Sequence, residues 1–159
     1  MTSATPRLTM RDRHRAMTRD HIMAAALEAF AERGYVAVTI DDIVRRAGVG
    51  RATFYLHFDS KAAVLRELRN TRMTVWSQQD APRGGRSGRP SIRAFFEKVV
   101  DFYISAPQLY MALHQARAAD PEFAAAHRAT MEANVTEWIA ADAMPGATEA
   151  QLRLAIAMM

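Results

Sequence analysis

Two short helices joined by a tight glycine turn restrict the folds open to this chain more than any other feature of its sequence. A helix is predicted over about 39–47, because Thr39 and Asp42 fit a capping box ahead of an apolar stripe. The Gly-Val-Gly turn at 48–50 ends it, and a second helix is predicted over about 51–58. Helices this short cannot build a core alone, so they must pack on another helix, and the tight connection makes them cross steeply.

A helix predicted just before this pair can supply the surface on which it packs. It covers about 18–33, with apolar residues recurring at helical spacing from Ile22 to Phe30, and Gly34 ends it. Three helices in this arrangement form a helix-turn-helix, whose last helix enters the major groove of DNA with its N-terminal residues at the base edges. Many helix pairs join through glycine, so the bare pattern favours this interpretation without establishing it.

The rest of the chain is also predicted to be helical, which makes the fold class all-α. Ser60 caps a long fourth helix, and later helices are predicted over about 91–106, 108–118, 121–142 and from Thr148 onward. The predicted units are a flexible basic arm at 1–17, a helix-turn-helix head at 18–58, a connecting helix at 59–79, a flexible loop at 80–90 and a helical effector-binding and dimerisation domain at 91–159.

Charge is distributed unevenly along the chain and indicates where a polyanion would bind. The first 80 residues hold 13 basic and 9 acidic side chains, whereas residues 81–159 hold 8 of each. The first half therefore carries the whole net charge of +4 and is the half expected to meet DNA. The arm carries four arginines: Arg7, Arg11, Arg13 and Arg15. They either belong to a solvated tail or contact phosphate or the minor groove.

Several classes of protein are disfavoured by what the sequence lacks. It has no cysteine, so disulfides, thiolate metal sites and a cysteine nucleophile are excluded. Its longest apolar runs, six residues each, are too short to cross a bilayer. The basic start is not followed by the apolar segment that a signal peptide needs, so we expect a soluble, cytoplasmic protein. No nucleophile elbow, zinc motif or phosphate loop is present, so we expect no enzymatic activity, no metal and no cofactor.

A distinctive string of residues runs from the first helix into the fourth. It consists of Ala29-Phe30, Gly34-Tyr35, Thr39-Ile40-Asp41-Asp42-Ile43, Ala47-Gly48-Val49, Thr53-Phe54-Tyr55-Leu56-His57-Phe58, Lys61 and Leu65. Residues 18–65 thereby resemble the DNA-binding region of the tetracycline-repressor (TetR) family of bacterial transcriptional regulators. The resemblance implies a homodimeric repressor that binds a palindromic operator and is released by a small-molecule effector bound in a divergent helical domain. The second half matches the family only in its helical layout.

The resemblance assigns DNA-binding roles to individual residues of the head. Arg51 and Ala52 occupy base-reading positions, and a guanidinium can bind guanine O6 and N7 together. Phosphate contacts, which position the protein without reading sequence, are implied for Thr39, Thr53, Tyr55, His57 and Lys61. One of Arg45 and Arg46 is also expected to touch phosphate. The sequence does not decide which, and Arg46 is included among the predicted DNA contacts. Two residues depart from the family pattern. Gly50 stands where members often have a serine cap, and the acidic Asp41 can accept a hydrogen bond from a cytosine amino group or stabilise the N-terminus of its own helix.

Aromatic residues point to the effector site. A pocket for a small, largely apolar or aromatic molecule is predicted to be lined by Trp76, Phe96, Phe102, Tyr103, Tyr110, His114 and Trp138. The tyrosines, the histidine and Trp138 are the stronger candidates, because each brings a polar atom that needs a partner when buried. Aromatic stripes at helical spacing are also typical of a plain core, and His114 fits an ordinary core or surface histidine equally well. His114, Asp120, Glu122 and His127 do not fall at metal-site spacings.

Two other functions remain compatible with the sequence. One is an architectural DNA-binding protein whose second half only dimerises, and the other is a small helical enzyme, which no catalytic motif supports. An enclosed apolar cavity in the second half would favour sensing, and a solid core would favour architecture. The resemblance also implies further helices that form a dimer interface. The last predicted helix stops after about three turns, so we expect a shortened chain, and its dimerisation is left open.

Overall fold

The computed structural model describes residues 9–79, 97, 100, 101, 103–140 and 148–157, with side chains for all of these except 73–79, 134, 137–140 and 155–157. The described residues form helices and no strands, as predicted. The helices are α1 (Met10–Arg33), α2 (Ile40–Ala47), α3 (Arg51–Tyr55), α4 (Lys61–Gln79), α5 (Pro107–Ala119), α6 (Pro121–Ala140) and α7 (Glu149–Ala157). Residues 97, 100, 101 and 103–105 are helical as well. The predicted loop at 80–90 lies outside the described residues.

The start of α1 corrects the predicted boundary between arm and head. The helix begins at Met10 rather than near Thr18, so residues 10–17 are helical. Thr9 and Asp12 form a capping box, in which the Thr9 hydroxyl accepts from the Asp12 N–H at 3.2 Å and Asp12 accepts from the Thr9 N–H at 3.0 Å. Residues 10–17 are all exposed, so no apolar periodicity marked them as helix. The remainder of the arm, including Arg7, lies outside the described residues.

The core of the head forms where α1, α2, α3 and the start of α4 meet. Ile22 from α1, Ile43 from α2, Phe54 from α3 and Leu65 from α4 are all completely buried. Each of the two short helices thus contributes a large apolar side chain to a core that neither could form alone. Gly48 adopts φ 67°, ψ 28°, the left-handed conformation that ends α2 and that favours glycine.

The second half packs directly onto the head. Buried residues of α5 recur at i, i+3, i+4 and i+7 and belong to the same apolar cluster as the head core: Leu109, Ala112, Leu113 and Ala116. Phe123 of α6 extends this cluster. The helices α1 to α6 therefore contribute to one continuous core, and α5 links the two halves.

Two polar contacts reinforce the junction between the halves. The Gln115 side chain accepts a hydrogen bond from the Tyr35 N–H at 2.6 Å, and the Tyr35 hydroxyl donates to Asp120 at 3.3 Å. A Cβ on Gly34 would come within 2.9 Å of the Gln115 Oε1, and the φ of Gly34 is +77°, so this glycine allows both the turn and the close approach. None of the described helices is both long enough and apolar enough to cross a membrane.

Candidate nucleic-acid interface

The first turn of α3 presents its residues to solvent. Gly50, Arg51 and Ala52 are exposed, while Phe54 on the opposite side of the helix is completely buried. Phe54 packs edge-on against Tyr55 and lies 6.0 Å from Phe58, ring centre to ring centre, so aromatic contacts hold the helix in place. The helix ends at Tyr55, earlier than the predicted Phe58, because the chain turns at Leu56 and His57. The result is a short helix with a rigid inner face and a free N-terminal outer face.

Arg51 projects from this free face and is only loosely held. Its Nη1 lies 3.4 Å from a carboxylate oxygen of Asp41, and the two side chains are 59% and 54% exposed. A hydrogen bond with Tyr55 raises the pKa of Arg51, and the charge of Asp41 adds to the effect. Exposed pairs of this kind contribute little stability. The guanidinium can therefore leave Asp41 for a stronger acceptor at small cost.

The other predicted residues of α3 and the following turn are partly exposed. Tyr55 is 49% exposed, and Thr53 and His57 are half-buried. Burial lowers the pKa of His57, with further lowering by the positive charges of Arg15 and Arg19. His57 is therefore neutral near pH 7, so it could contact phosphate as a hydrogen-bond donor without adding positive charge.

Arg19 supports the end of α3 and was missed by the sequence analysis. It donates to the His57 carbonyl at 3.0 Å, lies 4.4 Å above the centre of the Phe58 ring and pairs with Glu67 at 3.1 Å. These contacts join α1, the turn after α3 and α4. No sequence spacing relates an arginine at position 19 to a carbonyl 38 residues later, so only the fold could reveal the contact.

Thr39 serves as the N-cap of α2 in this structure. Its hydroxyl donates to Asp42 at 2.7 Å and accepts from the Asp42 N–H at 3.2 Å, which confirms the predicted capping box. Hydrogen bonds from Thr39 and from Arg33 lower the pKa of Asp42 to about 2. The hydroxyl proton of Thr39 is thus already used within the fold, and its phosphate contact stays a prediction.

Lys61 is the first residue of α4, as the resemblance implied, and its ammonium group contacts the preceding loop. Its Nζ donates to the carbonyls of Tyr35 and Val38 at 2.8 Å each and to that of Val36 at 3.4 Å. It also lies 4.4 Å above the centre of the Tyr35 ring. An ammonium has three donors, and all three are engaged by the loop between α1 and α2. In this geometry Lys61 holds that loop, and its phosphate contact stays a prediction.

The structure separates the two neighbouring arginines at the end of α2. The Arg46 guanidinium pairs with Glu32, at 2.7 Å from Nη1 to Oε1, and with Glu28 at 3.4 Å. The Arg45 side chain is 76% exposed, and its one ion pair, with Asp42, is 3.6 Å long. The Arg46 guanidinium is thus paired with α1 and that of Arg45 is the more exposed, and the phosphate contact of either arginine stays a prediction.

Three of the predicted effector-binding residues lie side by side. The ring centres of Tyr103 and Tyr110 are 4.3 Å apart, and those of Tyr110 and His114 are 6.1 Å apart. Burial raises the pKa of Tyr103 to about 12, whereas His114 is exposed. Trp76 and Trp138 fall within α4 and α6, but their side chains lie outside the described part, as do Phe96 and Phe102 entirely.

The cavities found among the described residues of the second half have different linings from the predicted pocket. One of about 280 Å³ lies between α5 and α6 and includes His114. Another of about 250 Å³ lies where α5, α6 and α7 meet and includes none of the seven residues named above for the predicted pocket. The described structure therefore brings Tyr103, Tyr110 and His114 together without placing the two tyrosines around either cavity.

Comparison with known proteins places the head in a family. The family model of bacterial regulatory proteins, tetR family, matches residues 22–68. The chain is 42% identical over 52 residues to the "Putative mycofactocin biosynthesis transcriptional regulator MftR" of Mycobacterium tuberculosis, covering 33% of this chain and 26% of that protein. It is 38% identical over 88 residues to the transcriptional activator FasR of Mycolicibacterium smegmatis, covering 53% and 39%.

A third relative has a name that specifies repression. The chain is 39% identical over 46 residues to IcaR of Staphylococcus aureus, a negative transcriptional regulator of a biofilm operon, covering 29% of this chain and 25% of that protein. The chain thus spans between about a quarter and two fifths of the length of these three relatives.

A solved structure is similar in fold over most of the chain. It is described as a "Putative TetR-family transcriptional regulator" from Syntrophomonas wolfei, and it aligns with a TM-score of 0.63 and 16% identity over 90% of this chain and 79% of that one. The residues matched by the family model cover the second half of α1, all of α2 and α3 with its exposed first turn, and the start of α4. Residues 22–68, in the N-terminal part of the chain, are therefore similar to the DNA-binding region of the tetR family of bacterial regulatory proteins.

Proposed function

We propose that this protein is a DNA-binding transcriptional regulator that reads base edges with the first turn of α3. The observation that carries the proposal is Arg51, which lies exposed between Gly50 and Ala52 while Phe54 anchors the far side of the helix in the core. Small neighbours let the helix end approach the floor of the major groove. A long, planar guanidinium then reaches guanine O6 and N7.

Contacts to phosphate would surround this base contact. The Tyr55 hydroxyl and the exposed guanidinium of Arg45 lie on the described surface of the same head, and Thr53 is partly exposed. Such contacts fix register and orientation on the duplex but carry no sequence information. Specificity would therefore depend on Arg51, and affinity on the groups around it.

The regulatory scheme is the finer part of the proposal. The protein would act in the cytoplasm as a homodimer on a palindromic operator, repress transcription and leave the DNA when a small-molecule effector binds its second half. Support comes from the shared core, through which α5 contacts the head. The relatives are named both as an activator and as a negative regulator, so repression rests on the resemblance rather than on those names. Their names are those of regulators, which supports a non-enzymatic role.

Binding titrations with Arg51→Ala test the proposal. The DNA is an inverted repeat taken from the region upstream of the protein's own coding sequence, and a scrambled duplex of equal composition is the reference. We expect the substitution to cost about 1–3 kcal/mol on the repeat and much less on the scrambled duplex, because a base contact has been lost. Fluorescence anisotropy with labelled duplexes gives both values.

Arg45→Ala is the matched control on the same head. It should weaken binding to both duplexes about equally and reduce the slope of log affinity against log salt by about one, because it removes a phosphate contact. An equal loss of affinity for both duplexes in Arg51→Ala would show that Arg51 does not read a base. Wild-type protein without preference for the repeat over the scrambled duplex would contradict sequence-specific regulation by this operator.

A further inference from the structure

A cavity of about 250 Å³ lies where α5, α6 and α7 meet. Met131 and Val135 of α6 form an apolar wall, and Val135 is 1% exposed. Three arginines contribute to the lining, one from each helix: Arg117, Arg128 and Arg153. Apolar surface with a few convergent polar groups is the usual composition of a small-molecule site.

The charges around this cavity do not balance. Arg153 is neutralised, because its guanidinium pairs with both Glu132 and Glu149. Arg117 and Arg128 pair with no carboxylate among the described residues. Both also border the neighbouring cavity between α5 and α6. Two guanidinium groups thus adjoin the space without an acidic partner in the described part of the chain.

His127 adds a hydrogen-bond donor to the same wall. Its Nδ1 lies 2.9 Å from Nη1 of Arg69, and a guanidinium can only donate, so Nδ1 accepts and the neutral ring carries its proton on Nε2. Burial, together with the charges of Arg69 and Arg117, lowers the pKa of His127 to about 4, so the ring is neutral at pH 7. Nε2 has no hydrogen-bond partner among the described residues. No described side chain has a fully buried polar atom without a hydrogen bond, so Nε2 is accessible to solvent. His127 is one of the residues that line the cavity.

A buried positive charge stands behind this histidine. Arg69 is 8% exposed, and within the described structure its hydrogen-bond partners are neutral, namely Asn70 and His127. A buried charge without an opposite charge is costly, and a negative group nearby would offset that cost. Arg69 reaches the cavity through His127, so an anion there would be favoured by three cations.

We propose that this cavity binds a small organic anion, with Arg117, Arg128 and the Nε2–H of His127 around its charged end and Met131 and Val135 against its apolar end. Guanidinium groups recognise carboxylates and phosphates through paired hydrogen bonds, and the apolar wall selects a ligand with a hydrocarbon portion. The volume limits the ligand to a small molecule. The role of this anion as the effector rests on the function proposed above. Its binding to the cavity does not depend on that function.

The test measures binding without DNA, using benzoate as the probe. Benzamide has the same ring and shape but no charge, and sodium acetate at equal ionic strength supplies a carboxylate without the ring. We expect benzoate to raise the melting temperature of the full chain by several degrees, with little change from benzamide or acetate. Phenyl phosphate distinguishes the two anion chemistries, since a larger shift with it would assign the site to phosphates. Equal shifts with benzoate and benzamide, or with benzoate and acetate, would overturn the proposal.

Two substitutions locate the binding. Arg128→Gln, at an exposed position where the fold is not at risk, and Arg117→Gln should each weaken benzoate binding about tenfold or more, as for a lost charge-assisted hydrogen bond. Arg11→Gln on α1 is the control, since it removes an exposed arginine outside the cavity, and it should leave benzoate affinity unchanged. Calorimetric titration gives the constants. Wild-type affinity in both cavity variants would overturn the assignment.

A separate readout keeps this proposal distinct from the regulatory one. Benzoate is added to the preformed complex with the upstream inverted repeat, and release is followed by anisotropy. If benzoate binds and its binding requires Arg128, but the DNA is not released, the anion site stands and its effector role is contradicted. Binding that fails while DNA recognition persists would contradict the anion site alone.

Discussion

Cationic side chains in the head fall into two groups, according to whether the fold uses their charge. Lys61, Arg19 and Arg46 hold neighbouring elements through carbonyls or carboxylates. Arg45 and Arg51 remain more than half exposed, with only long contacts to acidic neighbours. Residue type and motif position do not distinguish the two groups, because the difference lies in which acceptors the fold brings within reach.

At the residue scale, Lys61→Met tests the role that the structure gives to this lysine. Methionine keeps the aliphatic stem but leaves the carbonyls of Tyr35, Val36 and Val38 without their donor. We expect a loss of about 1–3 kcal/mol in the free energy of unfolding, as for charge-assisted hydrogen bonds lost at partly buried carbonyls. Urea denaturation followed by circular dichroism measures it. The salt slope of DNA binding should stay the same; a slope reduced by about one with stability unchanged would instead support the phosphate contact.

At the element scale, the first two turns of α1 depend on their cap. Residues 10–17 are exposed, so tertiary packing contributes little and the capping box of Thr9 and Asp12 holds the helix start. Thr9→Ala should cost about 0.5–2 kcal/mol of local helix stability and speed amide exchange in residues 10–17, while global unfolding stays unchanged. Hydrogen exchange with mass spectrometry resolves the segment.

Thr39→Ala removes the same capping box from α2 and provides the comparison. This helix contributes Ile43 and Val44 to the core, so losing its cap should lower global stability by about 1 kcal/mol. Unchanged exchange over residues 10–17 in Thr9→Ala would mean that something other than the cap holds the start of α1.

At the scale of the whole molecule, the shared core predicts that the head and α5 unfold together. Leu113 is 4% exposed and belongs to the cluster that also contains the buried residues of the head. Leu113→Ala should therefore cost about 2–5 kcal/mol and raise amide exchange within residues 22–68 as well as within α5. Leu154→Ala, at a position 61% exposed, should change the free energy of unfolding by less than about 0.5 kcal/mol. A head that kept its protection in Leu113→Ala would show two independent folding units.

Local signals in the sequence were sufficient for much of the head. The all-α class, the short helices around the turn at 48–50 and the capping box of Thr39 are confirmed, because helical periodicity, glycine stops and caps act over a few residues. The exposed position of Arg51 also follows from local pattern, since Phe54, three residues later, is the apolar anchor of the same short helix. The start of α1 was misplaced because residues 10–17 carry no apolar periodicity.

Only the tertiary structure decided which charged groups are free. Lys61 meets carbonyls more than twenty residues away, Arg46 meets carboxylates of α1, and Arg69 meets His127 fifty-eight residues away. The charge imbalance at the cavity between α5, α6 and α7 likewise depends on Arg153 being neutralised while Arg117 and Arg128 are not. Sequence determines local backbone preference over a turn or two, whereas the availability of a charge depends on acceptors that only the packed chain brings together.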